Sequence, residues 1–287
     1  MNYLKILFII LISFGFQLVF SGRVWAWGPA IHTVIACRIL DDIVQIVPAI
    51  SGIIRAFPLE YLYGSLAADF FVGKGEKKKK GHSHNWETGH RILLEAKNDQ
   101  ESSYAWGFLS HLAADIIAHN YFVPSLVQLA STWKRAGHLY WEARADYSIE
   151  PGYIRMARDV LNMDDLGCDD LLRSAVGKRK NGLRARRHIF TQSVNLSDYF
   201  RSSQSLFLVY QGSRYRISEE YMDFMINLSY RLVKDILNRS ESSACLSFDP
   251  IGSRNLRLAG RHSVLSKFFN IPRPAYQFDV DQGLTDL

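Results

Sequence analysis

The chain has 287 residues, 48% of them hydrophobic and 22% charged, with 34 lysines and arginines against 28 acids for a formal charge of +6. That balance supplies one sizeable apolar core and excludes a disordered or low-complexity chain. Three cysteines, Cys37, Cys168 and Cys245, allow one disulfide at most, so no disulfide framework holds the fold and any further staple has to be a metal.

The first 26 residues read as a secretory leader: Lys5, an apolar run from Ile6 to Phe20, and a V-x-A ending at Ala26. The run is short for a membrane span, which needs roughly 20 residues, although an uncleaved anchor is the alternative. Cleavage after Ala26 leaves one domain, residues 27–287, that starts at Trp27. It also removes Lys5 and Arg23, so the formal charge falls from +6 to +4. A mildly basic chain suits anionic substrates or surfaces. Much of the charge lies in KGEKKKK (Lys74 to Lys80) and KRKNGLRARR (Lys178 to Arg187). These read either as solvated loop or helix-end charge, or as attraction to phosphate-bearing lipid or nucleic acid.

From Trp27 onward the periodicity predicts helix after helix. Ala30 to Val47 repeats Ile31, Ile35, Ile39 and Ile43 at four-residue spacing, and Pro48 with SGIIRAFP reads as a break. Leu59 to Phe71 is short and helical or irregular, and Gly73 to Gly81 is a lysine-rich loop. Glu87 to Lys97 is amphipathic, and Ser103 to Phe122 is apolar enough to be the central buried helix. Further helices are predicted at His138–Tyr147, Tyr153–Leu161, Cys168–Val176, Ser193–Tyr210 and Ser218–Asn238. The tail from Phe248 reads as irregular, with a short helical candidate at Val264–Phe269. No period-two run is long enough for a sheet, so the expected fold is all-α: a single multi-helix domain with a metal cluster between core helices.

Within the central helix, His111, Asp115 and His119 step by four. Each step drifts about 40° around the helix, so the three share one face. His138 and Glu142 are also four apart. Imidazoles and carboxylates on facing helices are how bundles build metal sites. A lone core histidine bonded to a carbonyl, or a surface His–Glu pair, would explain either group singly. Asp115 in an apolar stripe instead demands a cation. Zinc fits the ligand types, as do non-haem iron and manganese. Asp69 in GSLAADFF, His84 in GHSHNW with His82 as its possible substitute, and His32 in WGPAIH extend the set.

In the order WGPAIH, ADFF, HSHNW, HLAADIIAH and HLYWE, these fragments resemble the zinc-dependent phospholipase C family, whose superfamily includes fungal single-strand-specific zinc nucleases. The resemblance covers Trp27 to about Glu142 and implies three zinc ions. Asp69, His84, His111 and Asp115 would hold the first, and His119, His138 and Glu142 the second. His32, a bridging Asp115 and the freed amine and carbonyl of Trp27 would hold the third, which ties that site to leader cleavage. A zinc-bound hydroxide would attack the phosphorus, with Asp69 placing the water and neighbouring zincs clamping the phosphoryl oxygens. Three residues separate Asp115 from His119, where the best-known secreted phospholipases and the nucleases have five. Glu142 matches the phospholipases, where the nucleases carry Asp.

The expected function is therefore an exported, secreted or periplasmic, zinc-dependent phosphodiesterase of phospholipase C type. It would act as a monomer on phospholipid or another phosphodiester, with transient contact to a membrane surface. Phe70 and Phe71 are candidates for cation–π contact with a choline headgroup, or plain core aromatics. The alternatives are a nuclease on single-stranded nucleic acid and a non-catalytic protein in which zinc is structural.

Overall fold

The computed structural model describes residues 27–70, 83–130, 136–163, 167–176, 180–201, 217–259 and 278–287. The leader, Phe71, His82, the Lys74–Lys80 run and Val264–Phe269 lie outside these residues, so their expectations carry over untested. Every long element described is a helix, in a single helical domain with no strand among the described residues. No helix among them is long and apolar enough to cross a membrane.

Helix α1 (Pro29–Asp41) buries Ile31, Ile35 and Ile39, the predicted stripe. It stops six residues earlier than the periodicity suggested, in a 3₁₀ turn at Ile43–Gln45. The expected break after Pro48 is instead α2 (Pro48–Ala56), and Pro58 opens α3 (Pro58–Ala67) in the same way. Each proline occupies the first helical turn, where its missing N–H is not needed, so it starts a helix rather than ending one. A 3₁₀ turn, Ala68–Phe70, follows α3. Helices α4 (Trp86–Glu95) and α5 (Asp99–Ile117) are capped by Asn85 and Asn98, whose side chains accept from Thr88 N and Glu101 N.

Helix α5 is the axis of the domain: every residue from Ser103 to Ile117 is buried. It runs into a π-helical turn, Ala118–Phe122, and then α6 (Val123–Ala130). The elements α7 (Ala136–Ser148), α8 (Pro151–Asn162), α9 (Asp169–Val176), α10 (Lys180–Arg201) and α11 (Glu219–Arg239) complete the shell. Helix α10 begins thirteen residues before the predicted Ser193, so the basic run from Lys180 onward is its first two turns. Residues 253–259, expected to be irregular, form a short helix.

Against α5, α3 packs on one side and α11 on another. The α3–α5 crossing is a backbone contact: a Cβ on Gly64 would lie 2.0 Å from the Tyr104 carbonyl oxygen, and one on Gly107 2.1 Å from that of Tyr61. Helix α11 reaches back to the chain start. Ser229 Oγ accepts the Trp27 indole N–H at 2.9 Å, Asn227 accepts from Arg38, and Asn238 bonds both Val47 N and Gln45 O. Trp27→Phe removes the buried indole bond and should lower stability by about 1 kcal/mol, read from urea unfolding midpoints.

Candidate metal centre

The inner face of α5 meets the ends of three other segments. His111 and Asp115 project from α5, and His119 from the π-helical turn that continues it. His32 comes from the second turn of α1, Asp69 from the 3₁₀ turn after α3, and His84 from the residues leading into α4. All six are at most 4% exposed.

Their polar atoms converge on Asp115. Its Oδ1 lies 3.2 Å from His32 Nε2, while its Oδ2 lies 3.3 Å from His111 Nε2 and 3.6 Å from Nε2 of both His84 and His119. Asp69 Oδ1 is 3.2 Å from His84 Nε2 and 3.8 Å from His111 Nε2. The two carboxylate oxygens of Asp115 thus face different histidines, the disposition a bridging ligand needs.

Protonation follows from the surroundings. His111 Nδ1–H donates to the Ser65 carbonyl at 2.8 Å, an acceptor-only partner, which leaves the lone pair of the neutral ring on Nε2. His84 Nδ1 is hydrogen-bonded to Ser83 Oγ at 2.9 Å, which orients its Nε2 inward too. The Nε2 atoms of His84 and His111 stand 3.1 Å apart, and the His32 ring stacks on His111 at 3.9 Å. Burial pushes the His32 imidazole below its ordinary pKa, and the neighbouring His111 lowers it further. Burial alone would raise the Asp115 carboxyl, but without a metal the charge and hydrogen bond of a protonated His111, with hydrogen bonds from His119 and His32, hold it well below the carboxylate range, a positive charge that a bound metal would supply instead. Neutral imidazoles around ionised carboxylates are the states in which these groups bind metal.

A metal fits on this observation. Ring nitrogens directed at one another and at carboxylate oxygens, in a buried space, need a cation between them. Two groups, His32–Asp69–His111 and His84–His111–Asp115, have ligand atoms within 4.8 Å of one another. Imidazole with carboxylate is a zinc donor set.

The remaining candidates are placed less completely. Trp27 is buried at the head of α1, with its ring against Phe122 at 4.6 Å. His138 and Glu142 lie on α7, which packs against α1 and α6; their side chains are not among those described. Phe70 is a core aromatic, held between Tyr63 and Phe190, each with its ring centre 5.6 Å away. Its burial removes it from any headgroup contact. In the basic run, Arg187 is spoken for by Asp169 at 3.1 Å and by the Met163 carbonyl.

Two parts of the centre were not read from the sequence. The tail holds the π-helical turn: Asn120 Nδ2 donates to the Asp249 carbonyl, and Asn255 Nδ2 donates to the Asn120 carbonyl. Gly252, at φ 60°, lies so close that a Cβ would sit 2.3 Å from the His119 carbonyl oxygen. The second is Asp146, one turn beyond Glu142, which accepts the Ile31 N–H at 3.0 Å. The signal for it was present, since His138, Glu142 and Asp146 repeat the four-residue step of the α5 stripe.

Burial pushes the Asp146 carboxyl up to about 6, against the opposing charge of Arg201. A raised carboxyl binds its proton more tightly in the folded state. Its stabilising contribution is therefore complete below the unfolded value of 3.8 and is lost as pH rises through about 6. Asp146→Asn removes this dependence. Between pH 4 and 7 the stability difference of the metal-free variant should change by about 2 kcal/mol relative to wild type, read by urea unfolding at both pH values.

A family model described as zinc dependent phospholipase C matches residues 31–179, just over half of the chain. No curated protein and no solved structure matches.

Proposed function

The chain belongs to the zinc-dependent phospholipase C family, and we propose that it is an exported phosphodiester hydrolase that releases phosphorylated headgroups from phospholipids. The carrying observation is Asp115, fully buried with its two oxygens divided between His32 and the cluster of His84, His111 and His119. In this reading Asp69, His84, His111 and Asp115 hold one zinc, and His119 with His138 and Glu142 a second. His32, Asp115 and the amine and carbonyl of Trp27, freed by cleavage after Ala26, hold a third. Bound zinc supplies a water acidic near neutral pH and positive charge for the phosphoryl oxygens.

The chain's residues set the rest. The Ser65 carbonyl fixes the His111 tautomer, and Ser83 orients His84, so the ligand nitrogens need no rearrangement. Asp69, the least buried of the carboxylates and histidines in the cluster, orients the attacking water. Three-residue spacing from Asp115 to His119 is compatible with a shared metal face because the π-helical turn widens the helix there and His119 Nε2 still comes within 3.6 Å of Asp115.

The test compares mature protein starting at Trp27 on phosphatidylcholine liposomes and on single-stranded DNA, with and without chelator. Chelator-sensitive phosphorylated headgroup release is the expected result. Nucleotide release alone would move the chain to the nuclease reading. Silence in both arms with zinc still bound would make the cluster structural.

A further inference from the structure

We infer that Asp146 is a positioning residue that caps α1 from α7, fixing Trp27 and His32 against the helix that carries His138 and Glu142. A helix start needs acceptors for its first N–H groups, and a Ser, Thr, Asp or Asn side chain at the N-cap ordinarily supplies one. Here the N-cap is Gly28, which has no side chain to give. Pro29 has no N–H, and the Ile31 N–H is shared between an Asp146 carboxylate oxygen at 3.0 Å and the Gly28 carbonyl at 3.1 Å.

The glycine is required by this arrangement. A Cβ at Gly28 would lie 2.4 Å from Asp146 Cγ, so a local capping side chain and the carboxylate from α7 exclude each other. Asp146 is itself buried, and the far end of α7 is held by Arg201, which donates to the carbonyls of Asp146 and Ile149 and stacks over Tyr147. The result is one side chain that sets the depth of the α1 head relative to α7. A negative group at a helix N-terminus is also the favourable sign for the helix dipole. His32 lies one residue beyond Ile31, and Trp27 one residue before Gly28. Any sliding of the α1 head would therefore shift Trp27 and draw His32 Nε2 from Asp115 Oδ1, which it approaches to 3.2 Å.

The inference rests on the zinc reading for its metal measurement only. Mature wild type, Asp146→Ala and Asp146→Asn are compared by amide hydrogen exchange of the metal-stripped protein and by zinc content after reloading. Asp146→Ala should speed exchange at residues 30–32 about tenfold, the size of a lost cap, without changing α5. It should also lower zinc by one ion per chain. Asp146→Asn, which keeps an acceptor oxygen, should restore both. Unchanged exchange in Asp146→Ala, faster exchange with unchanged zinc, or an Asn variant that behaves like Ala would each overturn the inference. Should Asp146→Ala not fold, Gly28→Ala tests the same contact from the other side, and wild-type exchange at residues 30–32 in that variant would overturn it. A wild type that takes up no zinc fails the hydrolase reading, whereas the exchange measurement still decides the cap.

Discussion

Asp115→Asn is expected to lower headgroup release by about a thousandfold or more and to reduce bound zinc by at least one ion per chain, with the helical circular dichroism unchanged. The substitution preserves shape but replaces one oxygen by an N–H₂ group, which cannot ligate. It also removes the negative charge on which four imidazoles converge within 3.6 Å. No other described carboxylate reaches both His32 and His119, so nothing takes over the bridge. Zinc analysis of the purified variant, beside its turnover on phosphatidylcholine, separates the outcomes. Activity within tenfold of wild type at full zinc content would show that Asp115 is buried for another reason.

Gly107→Ala should, with Gly64→Ala on the facing helix, be among the most disruptive single methyls in the described residues. A Cβ at Gly107 would stand 2.1 Å from the Tyr61 carbonyl oxygen and 2.9 Å from Ser65 N, both backbone atoms of α3. Backbone cannot swing aside, so α3 and α5 must separate, at about 3 kcal/mol, the upper end for overpacking. The damage should reach the metal centre, because the Ser65 carbonyl on α3 is what fixes His111 on α5. Urea unfolding and zinc affinity should therefore fall together. Gly52→Ala is the control: its Cβ meets nothing within 4 Å on α2, and the variant should gain up to about 1 kcal/mol from helix propensity.

Local periodicity made the helical class readable, along with the stripe of His111, Asp115 and His119, because spacing along one helix is a property of the chain alone. The convergence of His32, Asp69 and His84 on that stripe is a matter of packing between separate elements, and only the order of the family-like fragments pointed to it. Pro48 was ambiguous: the same ring that ends one helix is well suited to begin the next. The early start of α10 was masked by its basic, glycine-containing first turns, which lack an apolar stripe strong enough to outweigh the loop reading. Asp146 was hidden for a different reason. The four-residue step from His138 and Glu142 places it on their face, but its capping role depends on a glycine 118 positions earlier, and a partner that distant leaves no mark of capping in either stretch.

The long-range ties from α11 to α1 and the residues flanking it also bear on the order in which the centre is enclosed. Trp27 meets Ser229, Arg38 meets Asn227 and Val47 meets Asn238, across separations of 202, 189 and 191 residues. The turn bearing His119 is pinned later still, by Asp249 and Asn255. A nascent chain that has emerged through α9 already contains every proposed ligand, yet the wall behind its first helix is still unsynthesised. A metal held there would be fully walled in only after α11 and the tail are made, and a fragment trimmed to the family-matched residues 31–179 would inherit the proposed side-chain ligands but neither Trp27 nor the enclosure that makes them a site.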